Sequence, residues 1–304
     1  MKKKIFLLFI MAAMLAKLHA QQYPLGIFDA QTDVGNARPG NSVYNAAMQQ
    51  YTIQGSGANI WSTHDGFHFL YKKMKGDFIL RANVRFISAS AEGHRKIGWM
   101  VRSSLDSTAS FVSGAVHGDG LTSLQFRRKT RDTVAEIHTG VKDVAVIQLE
   151  RKGNAYILSV AAEGELFSSK RVELDLGNDV YVGLFVCAHN PAVYEQAVFN
   201  NVRIITPAWP ALVPYHDYLG SQLEILDIAS GNSKIIFQSS RSLQAPNWMP
   251  GGKKLLYNSD GLIYTFDLNT LTPAVLNTGS ATHNNNDHVI SFDGKMLGIS
   301  NHIN

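Results

Sequence analysis

Two sets of side chains have the types and spacing that chemistry needs. Thr282-His-Asn-Asn-Asn-Asp-His288 places two histidines five residues apart with an aspartate beside the second. Imidazole nitrogens and carboxylate oxygens are ligands for first-row metals, so His283, Asp287 and His288 are candidate metal-binding residues. The alternative for this stretch is a polar loop entering a strand, with its Asn and Asp side chains making turns. The second set is nearer the N-terminus. Arg102, Gln125 and Arg127 fall on the polar parity of alternating segments, opposite Trp99, Val101, Leu124 and Phe126. Sharing one face, they would form a polar floor for sugar hydroxyls, with Trp61, Phe67 or Tyr71 as a stacking rim. The competing reading buries the aromatics in the core and pairs Arg102 with a carboxylate such as Asp65. Trp61, Asp65, Arg102, Gln125 and Arg127 are therefore the candidate ligand-binding residues.

Other routes to catalysis lack their residues. No Gly-x-Ser-x-Gly elbow, His-Glu-x-x-His helix, phosphate loop or dinucleotide fingerprint occurs. No cofactor is expected. Glu92, Glu136, Glu163 and Glu165 sit near turns without a paired-carboxylate frame. His64, His68, His94, His117, His138 and His189 are scattered, and each is read as a satisfied surface or hairpin histidine. Cys187 is the sole cysteine, so no intrachain disulfide forms, and alternation through Tyr181–Cys187 reads it as a half-buried thiol.

The elements that must position these residues are strands. Phe78–Phe86 puts Phe78, Leu80, Ala82, Val84 and Phe86 on one face and Arg81, Asn83 and Arg85 on the other. Segments 144–150, 155–160, 180–187 and 197–205 alternate similarly. Turn signals at Lys75-Gly-Asp77, Gly118-Asp-Gly120, Arg151-Lys-Gly-Asn154 and Gly177-Asn178 separate them. About ten short antiparallel strands over 21–206 predict two packed sheets. Pro207-Ala-Trp-Pro-Ala-Leu-Val-Pro214 then supplies three prolines in eight residues, a semi-rigid linker over 207–214.

Beyond it the chain repeats itself. Leu223-Glu-Ile-Leu-Asp-Ile228 returns as Ile263-Tyr-Thr-Phe-Asp-Leu268, and Trp248–Leu255 returns as Ile290–Leu297, shifts of 40 and 42. A period of about 40 residues with short alternating strands predicts blades of a β-propeller. Residues 215–304 hold about two such blades, so the sequence reads as the beginning of a longer protein, with sheet edges left uncovered.

At the N-terminus, Lys2-Lys-Lys4 followed by an apolar run to Ala16 and Leu18-His-Ala20 reads as a secretory signal peptide over 1–20. That implies a periplasmic or secreted protein. Four of the 28 Lys and Arg side chains lie in this segment, leaving 24 against 24 acidic ones. A balanced surface offers no electrostatic footprint for nucleic acid or anionic lipid.

Several runs carry a family resemblance. Gly55–Trp61, Asp65–Tyr71, Ile97–Arg102, Leu124–Arg127, Gln148–Gly153, Val182–Asn190 and Phe199–Val202, in this order, resemble concanavalin A-like (lectin- or laminin G-like) β-sandwich modules of secreted bacterial proteins. Ala245–Tyr257 and His288–Ser300 resemble the repeats of TolB-like propellers, the second keeping Ser291, Asp293, Gly294 and Lys295. The first copy has Met249 and Gly251 in place of the serine and aspartate, which predicts a looser turn. The resemblance implies an all-β chain: a concanavalin A-like (jelly-roll) sandwich followed by an incomplete TolB-like propeller. It also implies an exported binding or scaffold protein whose partner is an envelope protein or a polysaccharide. The alternative is a carbohydrate-active enzyme, a lyase or hydrolase of acidic sugars, working in the completed propeller channel.

Overall fold

The computed structural model describes residues 25–214 and 216–302 of the 304-residue chain. The segment read as a signal peptide lies outside the described residues. Twenty-two strands and no helix make up the described elements. No helix among the described residues is long and apolar enough to cross a membrane.

Fourteen strands form two seven-stranded antiparallel sheets. The first sheet runs β1 (Ala30–Val34), β4 (Phe67–Met74), β13 (Val180–Cys187), β6 (Lys96–Arg102), β7 (Phe111–His117), β8 (Thr122–Arg127) and β9 (Ala135–His138). The second runs β12 (Ser168–Glu173), β11 (Ala155–Ala161), β10 (Val146–Lys152), β5 (Phe78–Phe86), β14 (Glu195–Ile205), β3 (Gln50–Gly55) and β2 (Asn41–Asn45). Alternation explains the packing. Phe78, Leu80, Ala82 and Val84 of β5 meet Ile97, Trp99 and Val101 of β6 in one inter-sheet core with Leu149, Leu158, Leu184 and Phe199. Burying large side chains at about 25 cal/mol per Å² drives this closure. Gly98 lets the centre of the first sheet close: a β-carbon there would lie 2.0 Å from the carbonyl oxygen of Gly114. The all-β, two-sheet sandwich expected from the sequence is present, with fourteen strands where about ten were read.

β14 ends at Ile205 and the next strand begins at Ser221. Eight further strands follow, distributed two, four and two. β15 (Ser221–Leu226) pairs with β16 (Ser233–Ser239). β17 (Gln244–Trp248), β18 (Lys254–Ser259), β19 (Leu262–Asp267) and β20 (Thr272–Val275) form a four-stranded sheet. β21 (Asn284–Ile290) pairs with β22 (Leu297–Asn301). Among the described residues these sheets do not close into a ring of blades.

The sequence repeat is also a repeat of hydrogen bonds. Asp227 Oδ1 accepts from the amides of Ala229 and Ser230 at 2.9 and 3.0 Å. Asp267 Oδ1 does the same for Asn269 and Thr270 at 2.9 and 3.2 Å. At the other turn, the Met249 amide donates to the Lys254 carbonyl as the Ser291 amide donates to that of Met296. Only the second copy adds side-chain caps: Asp293 Oδ1 accepts from the Ser291 hydroxyl at 2.7 Å and the Lys295 amide at 3.1 Å.

Candidate functional site

The face of the first sheet turned away from the second carries the polar side chains. On β6, β7, β8 and β9 it presents Lys96, Met100 and Arg102, then Phe111, Ser113, Ala115 and His117, then Ser123, Gln125 and Arg127, and last Glu136 and His138. At one end it is roofed by loops. Met100, Phe111 and Phe185 pack there against Val34, Ile60, Phe67 and Val134 in a second apolar cluster.

Beneath this roof Asp65 joins two arginines. Its Oδ2 accepts from Arg102 Nη1 at 2.8 Å and Arg127 Nη1 at 2.7 Å, and its Oδ1 from Arg127 Nη2 at 2.6 Å. All three side chains are fully buried. Spare donors hold the loops: Arg102 Nη2 donates to the Asp106 carbonyl at 2.6 Å, Arg127 Nε to that of Asp132 at 2.9 Å, and Arg127 Nη2 to that of Ser62 at 2.8 Å. The arginines thus share a face with Gln125 as the alternation predicted, but they face Asp65 and backbone carbonyls. The pairing of Arg102 with Asp65 is the arrangement observed; a sugar-binding floor of Arg102 and Arg127 is not. Phe67 is also fully buried, which removes it as a stacking surface, whereas Trp61 is 39% exposed.

At the other end of the face lies a cavity of about 360 Å³, lined by Asn59, Trp61, His94, Lys96, His117, Leu121, Glu136 and His189. Lys96 and His117 are direct cross-strand partners on β6 and β7, and Gln125 faces Glu136 across β8 and β9. Lys96 Nζ donates to Asn59 Oδ1 at 2.6 Å. Gln125 Nε2 lies 3.1 Å from His117 Nε2 and 3.2 Å from Glu136 Oε2. Glu136 Oε1 lies 2.9 Å from His138 Nε2, and Glu92 Oε1 lies 3.1 Å from His189 Nδ1. His189 has a positive φ of 58°, which turns its ring at the end of β13. His117 Nδ1, Gln125 Oε1 and Ser113 Oγ are buried polar atoms without a hydrogen-bond partner among the described residues. Such atoms cost free energy unless another group supplies the bond.

Burial sets the charges here. It pulls the His117 pKa down to about 4, with the nearby Lys96 adding to the effect. His189 is lowered by burial and then by Lys96. Burial also lowers Lys96, opposed in part by surrounding acidic groups. Glu136 feels burial raising its pKa, but hydrogen bonds from His138, Ser123 and Gln125 outweigh it, so the net shift is down. Burial raises the Cys187 thiol to about 11, leaving a protonated, unreactive group. At neutral pH the cavity therefore holds uncharged His117 and His189 beside the ammonium of Lys96 and the carboxylate of Glu136.

Sequence reading brought only Trp61 and Gln125 near this cavity. Of the six histidines expected to be scattered, His94, His117 and His189 converge on it and His138 braces Glu136, whereas His64 and His68 lie elsewhere. Glu136 lies on the four-residue strand β9.

Two other constellations resolve differently. Ser42 Oγ lies 3.0 Å from His68 Nε2, and His68 Nδ1 lies 2.7 Å from Asp33 Oδ1, the spacing of a nucleophilic triad. Ser42 is only 2% exposed, and Gly40 packs so tightly on the ring that a β-carbon would lie 2.4 Å from His68 Nδ1. No substrate reaches this serine; the array clasps β1 of one sheet to β2 of the other. Among the described residues no group of three His, Cys, Asp or Glu is placed to hold a metal. His283, Asp287 and His288 do not come together as such a group, and the pairing of β21 is irregular between Asn284 and His288.

No family model matches the chain. An uncharacterized protein of Agrobacterium fabrum is 42% identical over 84 residues, 27% of this chain and 29% of that protein. The chain thus spans less than a third of that relative. Among solved structures, a functionally unknown protein from Saccharomyces cerevisiae is similar over 59% of this chain and 97% of its own, at 13% identity and TM-score 0.45. The alginate lyase from Klebsiella pneumoniae is similar over 55% of this chain and 84% of its own, at 10% identity and TM-score 0.38. The carbohydrate-binding module CBM66 from Bacillus subtilis is similar over 59% and 98%, at 17% identity and TM-score 0.39.

Proposed function

We propose that this chain is an exported carbohydrate-recognition protein whose sandwich seats a saccharide in the cavity of its first sheet. One observation carries the reading: the cavity wall mixes donors and acceptors, among them His117 Nδ1, a buried polar atom with no hydrogen-bond partner among the described residues, beside a half-exposed indole. Sugar hydroxyls both donate and accept, so they match such a wall, while Trp61 offers an apolar face for the ring carbons. Export rests on the N-terminal segment. The 40-residue repeat supports a TolB-like propeller as the accompanying scaffold, its β17–β20 sheet corresponding to one blade.

Glycan-array screening and calorimetry on the full chain test the proposal. Trp61→Ala should weaken binding roughly tenfold without changing the melting temperature. Unchanged affinity in that variant, or a chain that binds no glycan, would sink the reading.

A second reading, cleavage of the bound saccharide, draws on one further feature. His117 stays uncharged at neutral pH and Gln125 links it to Glu136, a base and a carboxylate in one cavity. New reducing ends or unsaturated products released from a bound glycan would establish it.

A further inference from the structure

We propose that the cavity selects saccharides carrying an anionic substituent, a carboxylate or a sulfate ester, which seats on Nζ of Lys96. This deepens the saccharide reading and rests on it. The geometry begins with burial: Lys96 is 2% exposed and its side chain ends at the cavity. An ammonium has three donors. Among the described residues that of Lys96 has one acceptor, the neutral amide oxygen of Asn59, and no carboxylate within 4.0 Å. Every other buried basic side chain of the sandwich is differently placed. Arg102 and Arg127 share Asp65, Arg95 holds Glu195 at 2.7 Å, and Arg151 donates to two backbone carbonyls.

Glu136 of the cavity wall and Glu92, the partner of His189, do not fill this role. Glu136 is engaged by His138, Ser123 and Gln125, and Glu92 by the His94 amide and His189. A buried cation without an anion is costly, and the deficit is removed when a ligand brings the missing charge. The lowered pKa of Lys96 agrees with a charge held short of compensation. The imidazoles of His117 and His189, uncharged at neutral pH, add no competing positive charge, so the preference is centred on Lys96.

The experiment uses the full chain at pH 7 in physiological salt. A panel of uronate-containing and sulfated oligosaccharides is measured by calorimetry, each paired with its carboxyl-reduced or desulfated form. The acidic member of at least one pair should bind about tenfold tighter or more, as expected for a charge-assisted hydrogen bond. Preference within uronate pairs identifies a carboxylate, and preference within sulfated pairs a sulfate ester. Lys96→Met should lose the difference between the acidic and neutral forms, and a melting temperature matching that of the wild type checks that the fold is kept. Equal binding of acidic and neutral forms by the wild-type chain would overturn this proposal and leave the saccharide reading standing. So would a difference that survives in Lys96→Met. Binding of neither form across the panel would remove both readings.

Discussion

His117 shows how burial turns a residue type into a property. It is 5% exposed, one ring nitrogen faces Gln125, and its pKa is pulled to about 4. In the unfolded chain a histidine titrates near 6.5. The sign follows: the folded form holds the ring neutral, so protonation favours unfolding. The contribution is fully present above about pH 6.5 and is lost as pH falls toward 4, where it reaches about 3 kcal/mol. Denaturation measured from pH 7 to pH 4 should show this loss in the wild-type chain. His117→Gln, which keeps a polar side chain without the proton site, should have a flatter acid limb by about that amount. Parallel profiles for the two proteins would show that His117 is not held neutral by the fold.

At the scale of elements, the Asp65 network decides whether the roof of the first sheet stays in place. One carboxylate is shared by Arg102 of β6 and Arg127 of β8, whose remaining donors reach the loops bearing Ser62, Asp106 and Asp132. Removing one member of a buried ion pair strands the rest, at roughly 3–5 kcal/mol. Asp65→Asn should therefore lower the melting temperature by roughly 10 °C in a domain of this size, and thermal denaturation followed by circular dichroism checks it. A drop of a degree or two would mean that the buried charges are compensated by other groups. Loss of ligand in Arg102→Ala would follow from the collapsing roof and would not place Arg102 against a saccharide. The same strands show what was legible beforehand. β5 was legible with its observed ends because its apolar residues alternate without interruption, and β13 because its apolar run is continuous. β2 (NSVYN), β9 (AEIH) and β12 (SSKRVE) escaped because short, polar edge strands bury one face weakly. The cavity escaped for a different reason. Asn59, Lys96, His117, Glu136 and His189 come from separate strands and loops, and only pairing registers bring them together. One signal was available: Lys96 and His117 lie on the parity opposite Ile97, Trp99 and Val116, the face already assigned to Arg102 and Gln125.

At the scale of the whole chain, the sandwich and the repeats are joined by more than the proline-rich segment. β14 carries a bulge between Asn200 and Arg203, with Asn201 at a φ of 50°. A bulge re-aims the side chains that follow it, and here they point at the β15–β16 hairpin. Asn201 Oδ1 accepts from the Ser233 amide at 2.7 Å, and its Nδ2 donates to the Gly231 carbonyl at 3.0 Å. Gln49 exchanges two bonds with the backbone of Ile235, at 2.8 and 3.0 Å. Arg203 grips Glu224 with two bonds of 3.1 Å. These bonds set orientation more than stability; each contributes about 1 kcal/mol. Asn201→Gly tests the joint, since glycine keeps the positive φ while deleting both bonds to the hairpin, together with the 3.2 Å bond to Asn83 of β5. The sandwich should melt within a few degrees of the wild type, having lost only the bond to Asn83. Hydrogen exchange at the Ser233 amide should become several-fold faster, and in Gln49→Ala the same should hold at Ile235. If both amides exchange as slowly as before, the hairpin does not depend on Asn201 and Gln49, and the Arg203–Glu224 pair is left as the contact to test.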